Sequence, residues 1–220
     1  MTVIGAPSPE WGDFIVTLIP DILELVLSAW EEMPSLDPDT HENPITKDLC
    51  RRMIQNKKNS ELPFRISYQS VELEPIDGTD QGDMDIAFLP SQTSQENIYF
   101  CLECKRLHVT KNGKFSSLAT EYVTEGMMRF VSGRYSAAVN HGGMLGFVLN
   151  SNTVQAVTNV GGVIQARHID LGMASPGDMQ FSSVRPADTN ARETHHVRPH
   201  NNDPFHIHHI FVSGAGVAAA

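Results

Sequence analysis

The sequence predicts one α/β (α+β) domain built on a mixed central sheet that is flanked by helices. Its 220 residues, 40% of them hydrophobic, are enough for one well-buried core and cramped for two domains. Segments with helical spacing and segments rich in β-branched and aromatic residues follow one another in the order helix, three strands, helix, strand. We expect an acidic helix and loop over residues 1–40, a single domain over 41–212 and a flexible tail over 213–220.

Two helices are expected before the first strand. Residues 14–32 carry apolar side chains at helical spacing, and Pro20 suits a first helical turn, so the main helix is predicted to begin near Pro20. Asn43 is a good N-cap and Pro44 a good first helical residue. The second helix is therefore predicted to run from there to about Asn56.

Three strands are predicted next, over residues 64–74, 83–89 and 98–104, because turn-rich stretches separate these apolar runs. Helical spacing then indicates a long helix over 116–138. A short apolar run after a Gly-Gly turn predicts a strand over 144–149.

The last third of the chain gives a weaker pattern. Residues 152–167 are predicted to form another helix, although Gly161 and Gly162 lower its propensity. Residues 170–204 show no periodicity and are rich in Pro, Ser, Asn and His. A structureless run of this length is unusual inside a compact domain, so the stretch is either a functional loop or contains elements that the pattern does not reveal. Residues 205–212 are predicted to be the last strand.

The charge distribution limits the classes of function. The net charge is −10, which is not typical of a protein that coats nucleic acid through bulk charge. Residues 1–46 hold nine acidic residues and no Lys or Arg, whereas residues 47–134 hold twelve of each sign, so a local basic groove is possible there. The N-terminus has no basic leader and no apolar run of membrane-spanning length, so we expect a soluble cytoplasmic protein without membrane contact.

The three cysteines are an odd number and do not indicate a disulfide framework. Cys101 and Cys104 form a C-x-x-C sequence, which invites a redox or zinc interpretation. Residues three apart on a strand point to opposite faces, and no second C-x-x-C completes a zinc site. We therefore expect ordinary buried thiols.

Acidic residues and a lysine mark the ends of two predicted neighbouring strands. Glu103 and Lys105 share one strand face, and Asp85 can meet Glu103 across the ladder. Two such carboxylates repel unless a cation lies between them, and a hard divalent ion, most naturally Mg²⁺, accepts oxygen ligands of this kind. A lysine beside the metal can orient water or neutralise developing charge, which suits phosphodiester hydrolysis.

The segments GDMDIAFL and IYFCLECKRL, about ten residues apart, resemble the D…(D/E)-x-K signature of the PD-(D/E)xK nuclease superfamily. The resemblance covers roughly residues 42–150 and implies the restriction endonuclease-like fold with an αβββαβ core. It implies metal-ligand roles for Asp85, Glu103 and the backbone carbonyl of Cys104, and makes Lys105 the catalytic lysine. Many members of the superfamily add a glutamate on the first core helix.

The sequence departs from the superfamily pattern at two points. Met84 stands where the family has a proline, and Glu42, the nearest match to the helix glutamate, precedes the predicted helix. Asp83 shares a face with Asp85 and competes for its role; we favour Asp85, which lies inside the strand. The alternative is that Asp83 and Asp85 belong to a turn, while Glu103 and the following lysine form a solvated pair on an edge strand.

Several basic residues are predicted to contact nucleic acid. Lys47 and Arg51 lie on one side of the second helix, which either meets phosphates or is a solvated helix face, and Arg106 flanks the motif. Arg129 on the long helix is a further phosphate contact, unless it pairs with Glu125 four residues earlier on a solvated face. Nearby aromatic residues are expected to be core rather than base-stacking groups; these are Tyr122, Phe130 and Tyr135.

Three functional hypotheses follow. The first is a cytoplasmic nuclease that requires Mg²⁺ (or Mn²⁺) and acts on DNA, with RNA left open, as a homodimer or as the nuclease subunit of an anti-phage defence or restriction assembly. The second is a non-catalytic scaffold of the same fold within a multi-protein complex. The third is a metal protein that uses the six histidines of residues 195–209, where His206 and His208 share a strand face and His209 points away.

Overall fold

A computed structural model describes residues 9–71, 82–92, 95, 97–111, 113–177 and 179–214. Helices α1 (Pro9–Glu31) and α2 (Glu42–Lys57) precede the first strand. Helix α3 is α-helical over Ala119–Glu121, π-helical over Tyr122–Met127 and α-helical again over Met128–Val131. Helix α4 (Thr153–Ala166) follows later.

The described residues form a sheet of seven strands and a separate two-stranded hairpin. The strands are β1 (Phe64–Val71), β2 (Asp83–Pro90), β3 (Phe100–Leu107), β4 (Val109–Lys111), β5 (Lys114–Ser116), β6 (His141–Val148), β7 (Gln180–Phe181), β8 (Ala191–Val197) and β9 (Pro204–Ser213). The order in the large sheet is β1-β2-β3-β6-β9-β8-β7, and β4 pairs with β5 in the hairpin. Strands β3, β6 and β9 are parallel, whereas the remaining neighbours are antiparallel. The predicted α+β class with a mixed sheet is therefore confirmed.

The sheet has an apolar core on each of its faces. Helices α1 and α2 cover one face, and α3 and α4 cover the other. Alternation along β3 sends Cys104 into the first core and Cys101 into the second, and both thiols are buried. The expectation of ordinary buried cysteines on opposite faces is confirmed. None of the helices in the described part of the chain is long and apolar enough to cross a membrane.

Two predicted helix starts were wrong. Helix α1 begins at Pro9 and contains Pro20 in its interior, because apolar contacts on both sides of the proline outweigh the lost backbone hydrogen bond. Helix α2 begins at Glu42 with His41 as N-cap, so Asn43 is a residue of the first turn rather than the cap.

Of the two alternatives for residues 170–204, the structure favours unrecognised elements, because the stretch contains strands β7 and β8. The side chains of β8 are mostly polar, yet Glu193, Thr194 and His196 are buried through hydrogen bonds. A pattern of hydrophobic residues does not detect such a strand. The helix predicted over 116–138 is shorter and ends at Val131.

Two buried polar networks connect the helices to the sheet. Tyr122 of α3 bonds to His209 on β9, His209 to Thr194, and Thr194 to His196, whose Nδ1 lies 2.8 Å from the carbonyl of Leu171. Because that carbonyl can only accept, His196 carries a proton on Nδ1, and burial favours the neutral form of both imidazoles. With both rings neutral, Thr194 donates to His196 and accepts from His209, which accepts from Tyr122. Burial accordingly holds the pKa of His209 well below its usual value.

Arg198 forms the second network. Its guanidinium is fully buried and donates to the carbonyls of Phe130, Tyr135, Ser136 and Val139. These carbonyls belong to the end of α3 and the segment after it, which carries Tyr135 toward the site described next. Arg198 therefore fixes this segment against the sheet.

Candidate active site

The predicted acidic residues and the lysine converge where β2 and β3 diverge. The ladder between these strands pairs Ile86 with Leu102, and Asp85 and Glu103 are the next residues along. Oδ2 of Asp85 accepts a hydrogen bond of 2.8 Å from the backbone N–H of Cys104. This bond ties the start of β2 to the end of β3 after the ladder stops.

Glu103 is the most buried carboxylate of the site, with a relative exposure of 1%. Its Oε1 accepts from Nζ of Lys105 at 2.6 Å and from Nη1 of Arg129 at 2.8 Å. Its Oε2 has no hydrogen-bond partner among the described residues. A buried carboxylate oxygen without a partner is costly and requires an explanation, such as a bound cation or water.

Glu42 joins the site from the first turn of α2. Its Oε1 accepts from Nζ of Lys105 at 3.1 Å, and its Oε2 accepts from the backbone N–H of Arg106 at 3.0 Å. The prediction that Glu42 precedes the helix was wrong, because Glu42 is the first residue of α2. Both of its carboxylate oxygens accept hydrogen bonds from the end of β3. Its role as a metal ligand stays a prediction.

Burial and mutual repulsion shift the pKa values of the site. Burial, followed by the charge of Asp85, raises the pKa of Glu103 to about 7 against the opposing effect of Lys105 and Arg129. Burial also raises the pKa of Asp85, although the Cys104 N–H bond opposes this. Burial disfavours the ammonium of Lys105, but Glu103 and Glu42 outweigh it and raise its pKa. The lysine is therefore charged at neutral pH.

Arg129 and Tyr135 support the site from the α3 side. Nη1 of Arg129 lies 2.8 Å from the hydroxyl of Tyr135, which donates to the carbonyl of Asp83 at 2.6 Å. The arginine thus connects Glu103 on β3 to the start of β2. The sequence predicted Tyr135 only as a core residue, because no motif indicates its hydrogen bond to the carbonyl of Asp83.

The π-helical part of α3 brings the helix close to the lysine. A Cβ at Gly126 would lie 2.4 Å from Cε of Met144 and 3.6 Å from Cγ of Lys105, so glycine permits the approach. In an α-helix, residues four apart share a face, which would pair Glu125 with Arg129. The extra residue in the π turn changes this spacing. Arg129 turns to Glu103 instead, and the intrahelical pair was the wrong alternative.

The other predicted nucleic-acid contacts are Lys47 and Arg51 on α2 and Arg106 on β3. Lys47 and Arg51 are exposed on α2, and Arg51 is 3.5 Å from Asp48. The guanidinium of Arg106 donates to the carbonyl of Thr40. Tyr122, Phe130 and Tyr135 are fully buried, which confirms that they are core residues.

The donors present fit a hard divalent cation with water in its shell. The oxygens of Asp85, the Oε2 of Glu103 and the carbonyl of Cys104 are the ligand types that Mg²⁺ prefers, and Mg²⁺ usually keeps several waters. The carbonyl of Cys104 also accepts from Nζ of Lys105 at 3.0 Å. Within the described residues, no three His, Cys, Asp or Glu side chains are arranged around one ion. Protein ligation would therefore consist of two carboxylates and a carbonyl.

Comparisons with known proteins add no identification. No family model matches the chain, and no curated protein or solved structure is detectably similar to it.

Proposed function

We propose that the chain is a metal-dependent nuclease of restriction endonuclease-like fold that hydrolyses phosphodiester bonds of DNA with Mg²⁺ or Mn²⁺. The observation that carries the proposal is the convergence of Asp85, Glu103 and Lys105 on one site, where Oε2 of Glu103 is buried without a partner. Carboxylates that share a buried site with a fixed ammonium group are the parts that phosphoryl transfer requires.

The order of the elements supports the proposed fold. Apart from the β4–β5 hairpin, which is inserted between β3 and α3, the sequence α2, β1, β2, β3, α3, β6 follows the αβββαβ order of the superfamily. Strands β1, β2, β3 and β6 are also consecutive neighbours in the sheet, with β3 and β6 parallel across α3. The acid and the E-x-K segment lie on the central pair of these strands.

Each side chain has a distinct task in the proposed reaction. Asp85 and Glu103 would hold the metal, which supplies a water of lowered pKa and polarises a phosphoryl oxygen. Lys105 is charged, so it stabilises negative charge on the phosphate and orients the attacking water as a hydrogen-bond donor rather than as a base. Arg129 holds Glu103 in place through Oε1 and leaves Oε2 for the cation.

The proposal is tested by incubating the protein with plasmid DNA and Mn²⁺ or Mg²⁺. We expect nicking or linearisation by the wild type and a loss of at least about a hundredfold in Lys105→Ala, the lower end of what a charge-stabilising group contributes. Arg167→Ala is the matched control, because it removes a cation from a half-exposed pair with Asp170 far along the chain. Circular dichroism establishes that both variants are folded.

The outcome also separates the alternatives. Folded wild-type protein that leaves DNA and RNA intact under both metals would overturn the nuclease proposal and favour a non-catalytic scaffold. Cleavage that survives in Lys105→Ala would indicate a contaminating nuclease or a different site. RNA cleavage without DNA cleavage would keep the chemistry and change the substrate.

A further inference from the structure

Four histidines and a glutamate gather on the sheet face that α1 and α2 cover elsewhere, opposite to the face of Glu103. They lie on three neighbouring strands: His141 on β6, His206 and His208 on β9, and Glu193 and His195 on β8. The register places His141, His206 and His195 in one row across the strands. Ring centroids are 4.8 Å apart for His141 and His206, and 4.3 Å apart for His206 and His195.

The distances between ring nitrogens match those of ligands that share an ion. Nδ1 of His195 lies 3.4 Å from Nε2 of His206, and Nδ1 of His141 lies 3.1 Å from Nε2 of His208. Two imidazole nitrogens bound to one tetrahedral Zn²⁺, at about 2.0–2.1 Å each, are about 3.3 Å apart. The His195–His206 pair is thus already spaced as a chelating pair.

Glu193 prepares His195 for this role. Its Oε2 accepts from the backbone N–H and the hydroxyl of Ser183, and its Oε1 lies 3.2 Å from Nε2 of His195. A carboxylate fixed in this way requires the proton of His195 on Nε2, so that the lone pair on Nδ1 faces His206. A carboxylate behind a histidine is the usual support of a metal-bound imidazole.

The cluster is accessible, and its own hydrogen bonds do not satisfy it. A cavity of about 160 Å³ lies beside Glu193 and His195, and its lining does not include the other three histidines. The side chain of His195 is 43% exposed. Nδ1 of His208 is buried and has no hydrogen-bond partner among the described residues. An ion with its waters can enter here and supply the missing partner.

We propose that His195 and His206 bind a transition-metal ion of the Zn²⁺ class, with His141 as the third imidazole and Glu193 orienting His195. In the described structure no three such side chains surround one point. A third imidazole requires the half-buried ring of His141 to turn from His208 toward His206, whose ring centroid is 4.8 Å away. Imidazole ligands favour Zn²⁺ over Mg²⁺, so this site differs in chemistry from the carboxylate site. The proposal does not depend on the nuclease function.

The test is equilibrium dialysis of the tag-free, EDTA-treated protein against Zn²⁺, with metal counted per chain. We expect about one Zn²⁺ per chain and an affinity at least about tenfold lower in His195→Gln and in His206→Gln. His168→Gln is the control, since that residue only caps the turn after α4 through Gln165. Binding of Co²⁺ and its visible spectrum give a second readout that reports imidazole ligation directly.

Three results would overturn the proposal. They are no Zn²⁺ retained by the wild type, Zn²⁺ retained equally by the His195 and His206 variants, and loss of Zn²⁺ in Glu103→Gln alone. The last result would place the ion at the carboxylate site. His195 is exposed, so we expect His195→Gln to fold. This variant alone still tests the proposal if His206→Gln does not fold.

Discussion

The two carboxylate oxygens of Glu103 lie in environments that have opposite effects on its charge. One of its oxygens accepts from two cationic groups, while the other is buried with no partner among the described residues. The first arrangement favours the carboxylate form and the second opposes it. Burial decides the balance, because the pKa of Glu103 is raised to about 7.

The raised pKa predicts how stability changes with pH in the absence of metal. The folded state holds the Glu103 proton more tightly than the unfolded chain, whose glutamate pKa is about 4.5. The contribution of Glu103 to stability is therefore complete below about pH 4.5 and is lost as the pH rises to about 7. Glu103→Gln removes this loss, so its stability relative to wild type should increase over that range by up to about 3 kcal/mol.

Urea denaturation of both proteins at pH 5, 6, 7 and 8, with EDTA present, measures this difference. The expected difference grows up to about pH 7 and is constant above it. A difference that does not change with pH, or that shrinks as the pH rises, would show that the pKa of Glu103 is not raised in the folded protein.

At the scale of elements, the sequence predicted the part of the fold that depends on apolar pattern. Strands β1, β2 and β3 and the face shared by Glu103 and Lys105 follow from alternation and turn signals, whereas the β4–β5 hairpin was not predicted. Strand β8 was missed because hydrogen bonds, not apolar side chains, satisfy its buried positions. The link from Arg129 to Glu103 was missed because a π turn changes the helical spacing.

Contacts between distant segments also explain why the start of α1 and the position of Glu42 were predicted wrongly. Apolar residues continue at helical spacing from Ile15 to Ala29, and their packing overrides Pro20. Local capping preference indicated Asn43, but His41 is the N-cap, and Glu42 becomes the residue that reaches β3. Tertiary contacts that join distant segments carry no local sequence signal.

Arg198 offers a test of the segment between α3 and β6. We expect Arg198→Met to lower the free energy of unfolding by about 2–4 kcal/mol, since four carbonyls lose a buried donor. Arg167→Met, at a half-exposed position, should change it by less than about 0.5 kcal/mol. Thermal and urea unfolding measure both. Equal stability of the two variants would mean that the carbonyls find other donors.

At the scale of the molecule, the sheet separates the two proposed cation sites. Glu103 and Lys105 lie on the face of α3 and α4, and the histidine row lies on the opposite face. The first proposed site offers oxygen donors, which suit Mg²⁺ or Mn²⁺, and the second offers imidazoles, which suit Zn²⁺. The strands of the first site are β2 and β3, and those of the second are β6, β9 and β8.

The most direct test of the central claim is the anomalous scattering of Mn²⁺ in crystals of the protein. We expect a peak about 2.1 Å from oxygens of both Asp85 and Glu103. We also expect the peak to disappear in Glu103→Gln crystals of the same form. Crystals with ordered Asp85 and Glu103 side chains and no Mn²⁺ between them, or with Mn²⁺ only at the histidine row, would contradict it.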